Sequence, residues 1–174
     1  MHQMNHCAEL LQATVPVKEE VKFSIGTVTS VSHYNHPKLL QNLGLESDTI
    51  VKVVNSAQLG GFEYRKGLLL TLPYHQVDHL PVFASILEVM QYGKEIIVVV
   101  QDCHTLYYDD NFGAFAVVKT LENPTINAYY ASALSALRPA SPWFRYDIDS
   151  VFYVSPRSTL VDTFLSAREE EEIW

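Results

Sequence analysis

Side chains able to bind a metal or move a proton concentrate in two short stretches of this chain. They are Tyr74-His75-Gln76-Val77-Asp78-His79 and Asp102-Cys103-His104-Thr105-Leu106-Tyr107-Tyr108-Asp109-Asp110. His75 and His79 form an H-x3-H pair, which on a helix would set both imidazoles on one face and, with Asp78, could hold zinc or another transition metal. Pro73 and Pro81 bracket the pair, however, and prolines so close together do not allow a helix between them. The residues therefore read as a loop linking Leu72 to a strand at Val82, and neither a metal nor any other cofactor is expected.

Cys103, His104 and Asp109 offer a different chemistry: a thiol nucleophile, an imidazole to deprotonate it and a carboxylate to orient the imidazole. A small hydrolase built on these three, or on a metal at His75 and His79, is the alternative function. Against it stands strand geometry, because adjacent residues of an extended chain point to opposite faces. The favoured reading is a half-buried thiol at the end of a core strand beside an exposed histidine. The chain contains no G-x-S-x-G elbow, no H-E-x-x-H and no phosphate-binding glycine loop. His2, His6, Cys7, His33 and His36 match no standard zinc spacing and read as exposed loop residues.

Aromatic residues give the remaining candidate chemistry, since rings left in contact with solvent can stack on a peptide or grip an apolar side chain. Phe62, Tyr64, Tyr107, Tyr108 and Phe112 are the expected binding residues. Tyr129-Tyr130 and Trp143-Phe144 are read mainly as core and cross-strand pairs.

The elements that must position these groups follow from composition and local pattern. In 174 residues, 48% are hydrophobic and 11% aromatic, enough for one substantial core. Twelve basic against 20 acidic side chains give a net charge of −8, the wrong sign for unaided binding to a phosphate backbone. Nucleic acid is thus an expected partner only with help from a basic domain. No apolar run reaches the length of a membrane span and no secretory signal is visible, so an intracellular location, nuclear or cytoplasmic, is expected and no membrane association. Cys7 and Cys103 are too few for a disulfide framework and are expected to be reduced.

Residues 1–20 read as a flexible N-terminal segment, 21–165 as a single β-rich domain, and 166–174 as an acidic tail ending in four glutamates and Ile-Trp. Strands are expected at 25–31 (IGTVTSV), 49–55 (TIVKVVN), 67–72 (GLLLTL, ending at Pro73), 82–90, 95–101, 114–118 and 150–154. A short helix is expected over 36–44, with Pro37 in its first turn and Gly44 as its stop. Gly60-Gly61 marks a turn, and 91–94 (QYGK) joins the two strands of a central hairpin. Residues 127–137 suit a short helix and an extended segment equally. The sum is a mainly-β small barrel or sandwich of about seven short strands with one to three short helices.

Three local patterns carry a resemblance: Gly61-Phe62-Glu63-Tyr64-Arg65-Lys66-Gly67, then Leu80-Pro81-Val82-Phe83, then Phe112-Gly113-Ala114-Phe115-Ala116-Val117. In this layout 23–161 resembles an uncharacterised C-terminal β-rich domain of animal zinc-finger-like and transposon-derived proteins. At fold level it is also similar to the small barrels of BAH and Tudor-like chromatin readers. The resemblance implies no catalytic residues. It implies a non-enzymatic module that binds a protein or peptide through a sheet edge or an aromatic groove. The sequence leaves the oligomeric state open.

Overall fold

The structure is a computed structural model that describes residues 20–119, 122–134, 144–146 and 151–155. Outside these lie His2, His6 and Cys7 with the N-terminal segment, residues 135–137, Trp143 and the acidic tail. In chain order the strands are β1 (Lys22–Phe23), β2 (Gly26–Ser30), β3 (Ile50–Val54), β4 (Ser56–Leu59), β5 (Phe62–Arg65), β6 (Leu69–His75), β7 (Pro81–Tyr92), β8 (Glu95–Asp109), β9 (Ala114–Lys119), β10 (Ile126–Tyr130), β11 (Phe144–Tyr146) and β12 (Val151–Val154). One α-helix, α1 (Pro37–Asn42), and two 3-10 turns, Val31–His33 and Ala131–Leu134, complete the described elements. The fold is mainly β, as expected. Strands are more numerous than the seven expected because β1, β4, β5, β10 and β11 are short and carry weak local patterns.

The expected central hairpin is the spine of the molecule. Its turn is tighter than 91–94: Tyr92 pairs with Glu95, leaving Gly93-Lys94 as a two-residue connection. Gly93 adopts a φ of 58°, which a side chain disfavours and glycine takes freely. β7 and β8 each outrun any single neighbour, so each pairs with two on its free side. β7 takes β6 along its first half and β3 along its second, while β8 takes β10 first and β9 later. All pairs are antiparallel. Among the described residues they build a nine-stranded open sheet with main order β11-β12-β9-β8-β7-β3-β2, beside a three-stranded sheet β1-β4-β5.

Two bulges set which side chains face which layer. Leu87 is inserted between the pairs Ile86–Val100 and Glu88–Val99, and Leu106 between Thr105–Val117 and Tyr107–Ala116. Each extra residue reverses the alternation beyond it. Before the first bulge, Val82, Ala84 and Ile86 point into one core cluster; after it Val89 does so, and Met90 joins the opposite one.

The run from Ile96 to Val100 lacks alternation because both of its faces are covered. Ile96, Val98 and Val100 pack with Ala57 and Tyr64 of the small sheet and with Ala131 and Leu134. Ile97 and Val99 pack under Val31, Tyr34, Leu40 and Leu45, the layer made by the first 3-10 turn and α1. Each such fully buried aliphatic side chain contributes about 1.5–3 kcal/mol of transfer free energy. α1 begins at Pro37 and gives way to Gly44 at φ 87°, close to the expected limits.

Two expectations are corrected. β6 does not stop at Pro73: it passes through an irregular stretch after Thr71 and resumes pairing at His75 opposite Pro81. Proline is tolerated where the ladder is already broken. The segment 127–137 is not one element either, since its described part is strand up to Tyr130 and a 3-10 turn from Ala131. No helix among the described residues is long and apolar enough to cross a membrane.

Candidate functional site

The pleat of β8 separates the three residues of the nucleophile hypothesis. Cys103 is buried among Leu69, Phe83, Phe115, Val117 and Val154, with its thiol 3.7 Å from the Gln101 carbonyl. His104, the next residue, is exposed, and the alternation of the strand places it on the opposite face. Asp109 ends the strand, at most about 20 Å from Cys103 at roughly 3.3 Å per residue. There its carboxylate accepts the backbone N–H groups of Asn111 (3.0 Å) and Phe112 (3.3 Å), closing the turn into β9. Burial pushes the Cys103 thiol up to about 11, against a smaller downward pull from Lys119. A thiol so placed is neutral at physiological pH, the opposite of an activated nucleophile.

The histidine pair is also divided. His75 is the last residue of β6, while His79 sits in the following turn at a φ of 64°. Between them Gln76 performs a structural task that its sequence context does not announce. Its side-chain amide accepts the Thr105 N–H at 2.8 Å and donates to the Thr105 carbonyl at 2.9 Å, as a neighbouring strand would. Pro81 has no N–H to offer at this end of β7, and the Thr105 hydroxyl instead donates to its carbonyl.

Asp78 lies in the same turn. Slight desolvation pushes its carboxyl up, but hydrogen bonds from Gln76 (3.3 Å) and the Leu80 amide (3.2 Å), with the nearby charge of His104, outweigh this and hold it below its ordinary value. Tertiary structure thus brings Asp78 and His104 into electrostatic range although they are far apart in the chain. Among the described residues, no group of three or more His, Cys, Asp and Glu side chains is arranged to hold a metal ion.

The five aromatic candidates fall into two places. Phe62 and Tyr64 alternate inward along β5, where Tyr64 is buried in the main core and Phe62 packs against it. Glu63 and Arg65 point outward and pair at 3.5 Å. Tyr107 and Tyr108 diverge, as neighbours on a strand must. Tyr108 packs edge-on against Phe115 with ring centroids 5.0 Å apart. Tyr107, opposite Ala116 beyond the Leu106 bulge, is 49% exposed.

Phe112 in the adjoining turn is 43% exposed and its ring lies 5.0 Å from that of Tyr153, and Leu106 is 41% exposed. Ala114, Ala116 and Tyr153 form a small buried cluster at this end of the sheet. Tyr107, Phe112 and Leu106 are thus exposed apolar side chains on the last part of β8 and the turn into β9. Leu106 and Tyr153 were not among the sequence candidates. The alternation in SVFYV could have pointed to Tyr153, whereas a bulge leaves no local signature for Leu106.

Comparison with family models, with curated proteins and with solved structures finds no match to this chain. The class defined by the fold is a mainly-β protein whose described residues form an open multi-stranded sheet with few short helices.

Proposed function

We propose that this domain is a protein-interaction module, working inside the cell in the nucleus or cytoplasm, that binds an extended segment of a partner at the β8–β9 end. The carrying observation is the exposure of Leu106 and Tyr107 near the end of β8 and of Phe112 in the turn that follows, each more than two-fifths exposed. Exposed aromatics on a rigid sheet offer a large contact area at little cost in conformational entropy, and such residues dominate binding energy at interfaces. Asp109 and Asp110 lie between Tyr107 and Phe112 in the chain, and the whole chain carries −8, so a segment bearing basic residues is favoured over an acidic one. Supporting the same reading, Cys103, His104 and Asp109 occupy different faces and ends of β8 and are not arranged as nucleophile, base and orienting group.

The test is binding to an array of extended peptides of varied charge, comparing the wild type with Tyr107→Ser and Phe112→Ser. Circular dichroism serves as the check on folding. Apolar-basic peptides are expected to bind, and each substitution to weaken that binding at least tenfold, about 1.4 kcal/mol. Equal binding by wild type and both variants would overturn the proposal. So would turnover of a generic ester or phosphate substrate that is lost in Cys103→Ser.

A further inference from the structure

Strand β2 ends the main order of the large sheet, and its outer side meets no other described strand. Edge strands in most proteins are guarded by lysine, proline or a bulge, because an open row of amide and carbonyl groups invites another strand. β2 has none of these guards. The ten residues from Phe23 to Ser32 contain no charged side chain and no proline, in a chain whose net charge is −8. Val28 at the middle of the strand is 62% exposed, and it is flanked by Ile25 at 86% and by Ile50, opposite Ser30, at 59%.

The backbone phase of this edge follows from its pairing with β3. Val31 donates to the Thr49 carbonyl at 2.9 Å, and the register Ser30–Ile50, Thr29–Val51, Val28–Lys52 continues from there. In an antiparallel ladder the residues that bond inward alternate with those that bond outward. Val31, Thr29 and Thr27 therefore face β3, while Ser30 and Val28 direct their N–H and C=O groups to the open side. Gly26 is next in that phase. It lies so close to β3 that an added Cβ would sit 2.0 Å from the Val53 carbonyl oxygen.

We infer that the β2 edge pairs with the β2 edge of a second copy of this chain, antiparallel about a two-fold axis at Val28. In that register Val28 exchanges both of its outward bonds with the partner's Val28, and Ser30 faces the partner's Gly26. An isologous contact must be self-complementary. Here the outward groups of Gly26, Val28 and Ser30 are symmetric about the central residue, and the strand itself, Gly26–Ser30, includes no charged side chain. Elsewhere the acidic balance of the chain opposes self-association; along this edge nothing charged does. A five-residue strand pair covers less surface than a standard stable interface, so the dimer is weak and concentration-dependent.

This inference is independent of the peptide-binding proposal, because β3 and β7 lie between β2 and the β8–β9 pair in the sheet. The experiment is a dilution series of the full chain by sedimentation equilibrium, with Val28→Lys and Val28→Cys variants. A monomer–dimer equilibrium is expected for the wild type. Val28→Lys, at an exposed position, is expected to weaken it at least tenfold, and Val28→Cys to form a disulfide-linked dimer on mild oxidation. A wild type monomeric at millimolar concentration would overturn the inference, as would a dimer indifferent to Val28→Lys. Cross-linking of Ile50→Cys in preference to Val28→Cys would overturn the register.

Discussion

The Tyr34 hydroxyl donates a short hydrogen bond to the Glu88 carboxylate, tying the segment after β2 to the middle of β7 just past its bulge. The two residues are 54 positions apart, and Glu88 reaches Tyr34 only because Leu87 shifts the alternation of β7 by one. Tyr34 also packs in the core beneath α1.

Replacing Tyr34 by Phe keeps the ring and removes the bond. Hydrogen bonds to charged partners contribute about 1.5–3 kcal/mol, and that is the expected loss of unfolding free energy in a urea titration. A change below about 0.5 kcal/mol would mean the pair adds nothing net. Burial raises the Tyr34 phenol above its ordinary value, and the hydrogen bond and charge of Glu88 raise it further. A group whose pKa is raised on folding contributes stability that is whole below its unfolded pKa, near 10 for tyrosine, and is lost as pH rises beyond it. Wild-type stability should therefore decline above about pH 10, and Tyr34→Phe should decline less.

Gln76 stands in for a missing strand neighbour, and its removal should be costly for a residue on a turn. Gln76→Ala leaves the N–H and C=O of buried Thr105 without their partner. An unsatisfied buried backbone group costs about 1–3 kcal/mol, so a loss of at least that size is expected in chemical denaturation. Gln76→Glu keeps the acceptor and loses the donor, and should fall between wild type and Ala. Equal stability of all three proteins would show that water substitutes fully for the side chain.

Cys103 should behave as a core residue. With its thiol pushed up to about 11 by burial, alkylation by iodoacetamide in a Cys7→Ser background should be at least tenfold slower folded than in urea at pH 8. The raised value also predicts a contribution to stability that is whole below about pH 9 and is lost as pH rises toward about 11. Alkylation of the folded protein as fast as of a free thiol would put Cys103 at the surface and reopen the nucleophile hypothesis.

What the sequence determined by itself rests on interactions between near neighbours. The mainly-β character, the hairpin of β7 and β8, helix α1 between Pro37 and Gly44, and the opposite facing of Cys103 and His104 were all legible. Each depends on side-chain periodicity or on a turn residue within a few positions. Tertiary structure decided the rest. The open sheet, the bulges at Leu87 and Leu106, the continuation of β6 through Pro73, and the bond between Tyr34 and Glu88 depend on partners tens of residues away. The same holds for the five aromatic candidates: all aromatic, Phe62, Tyr64 and Tyr108 pack inward while Tyr107 and Phe112 reach solvent. Local chemistry fixes which way a residue can point, but only the packing of distant strands fixes what it points at.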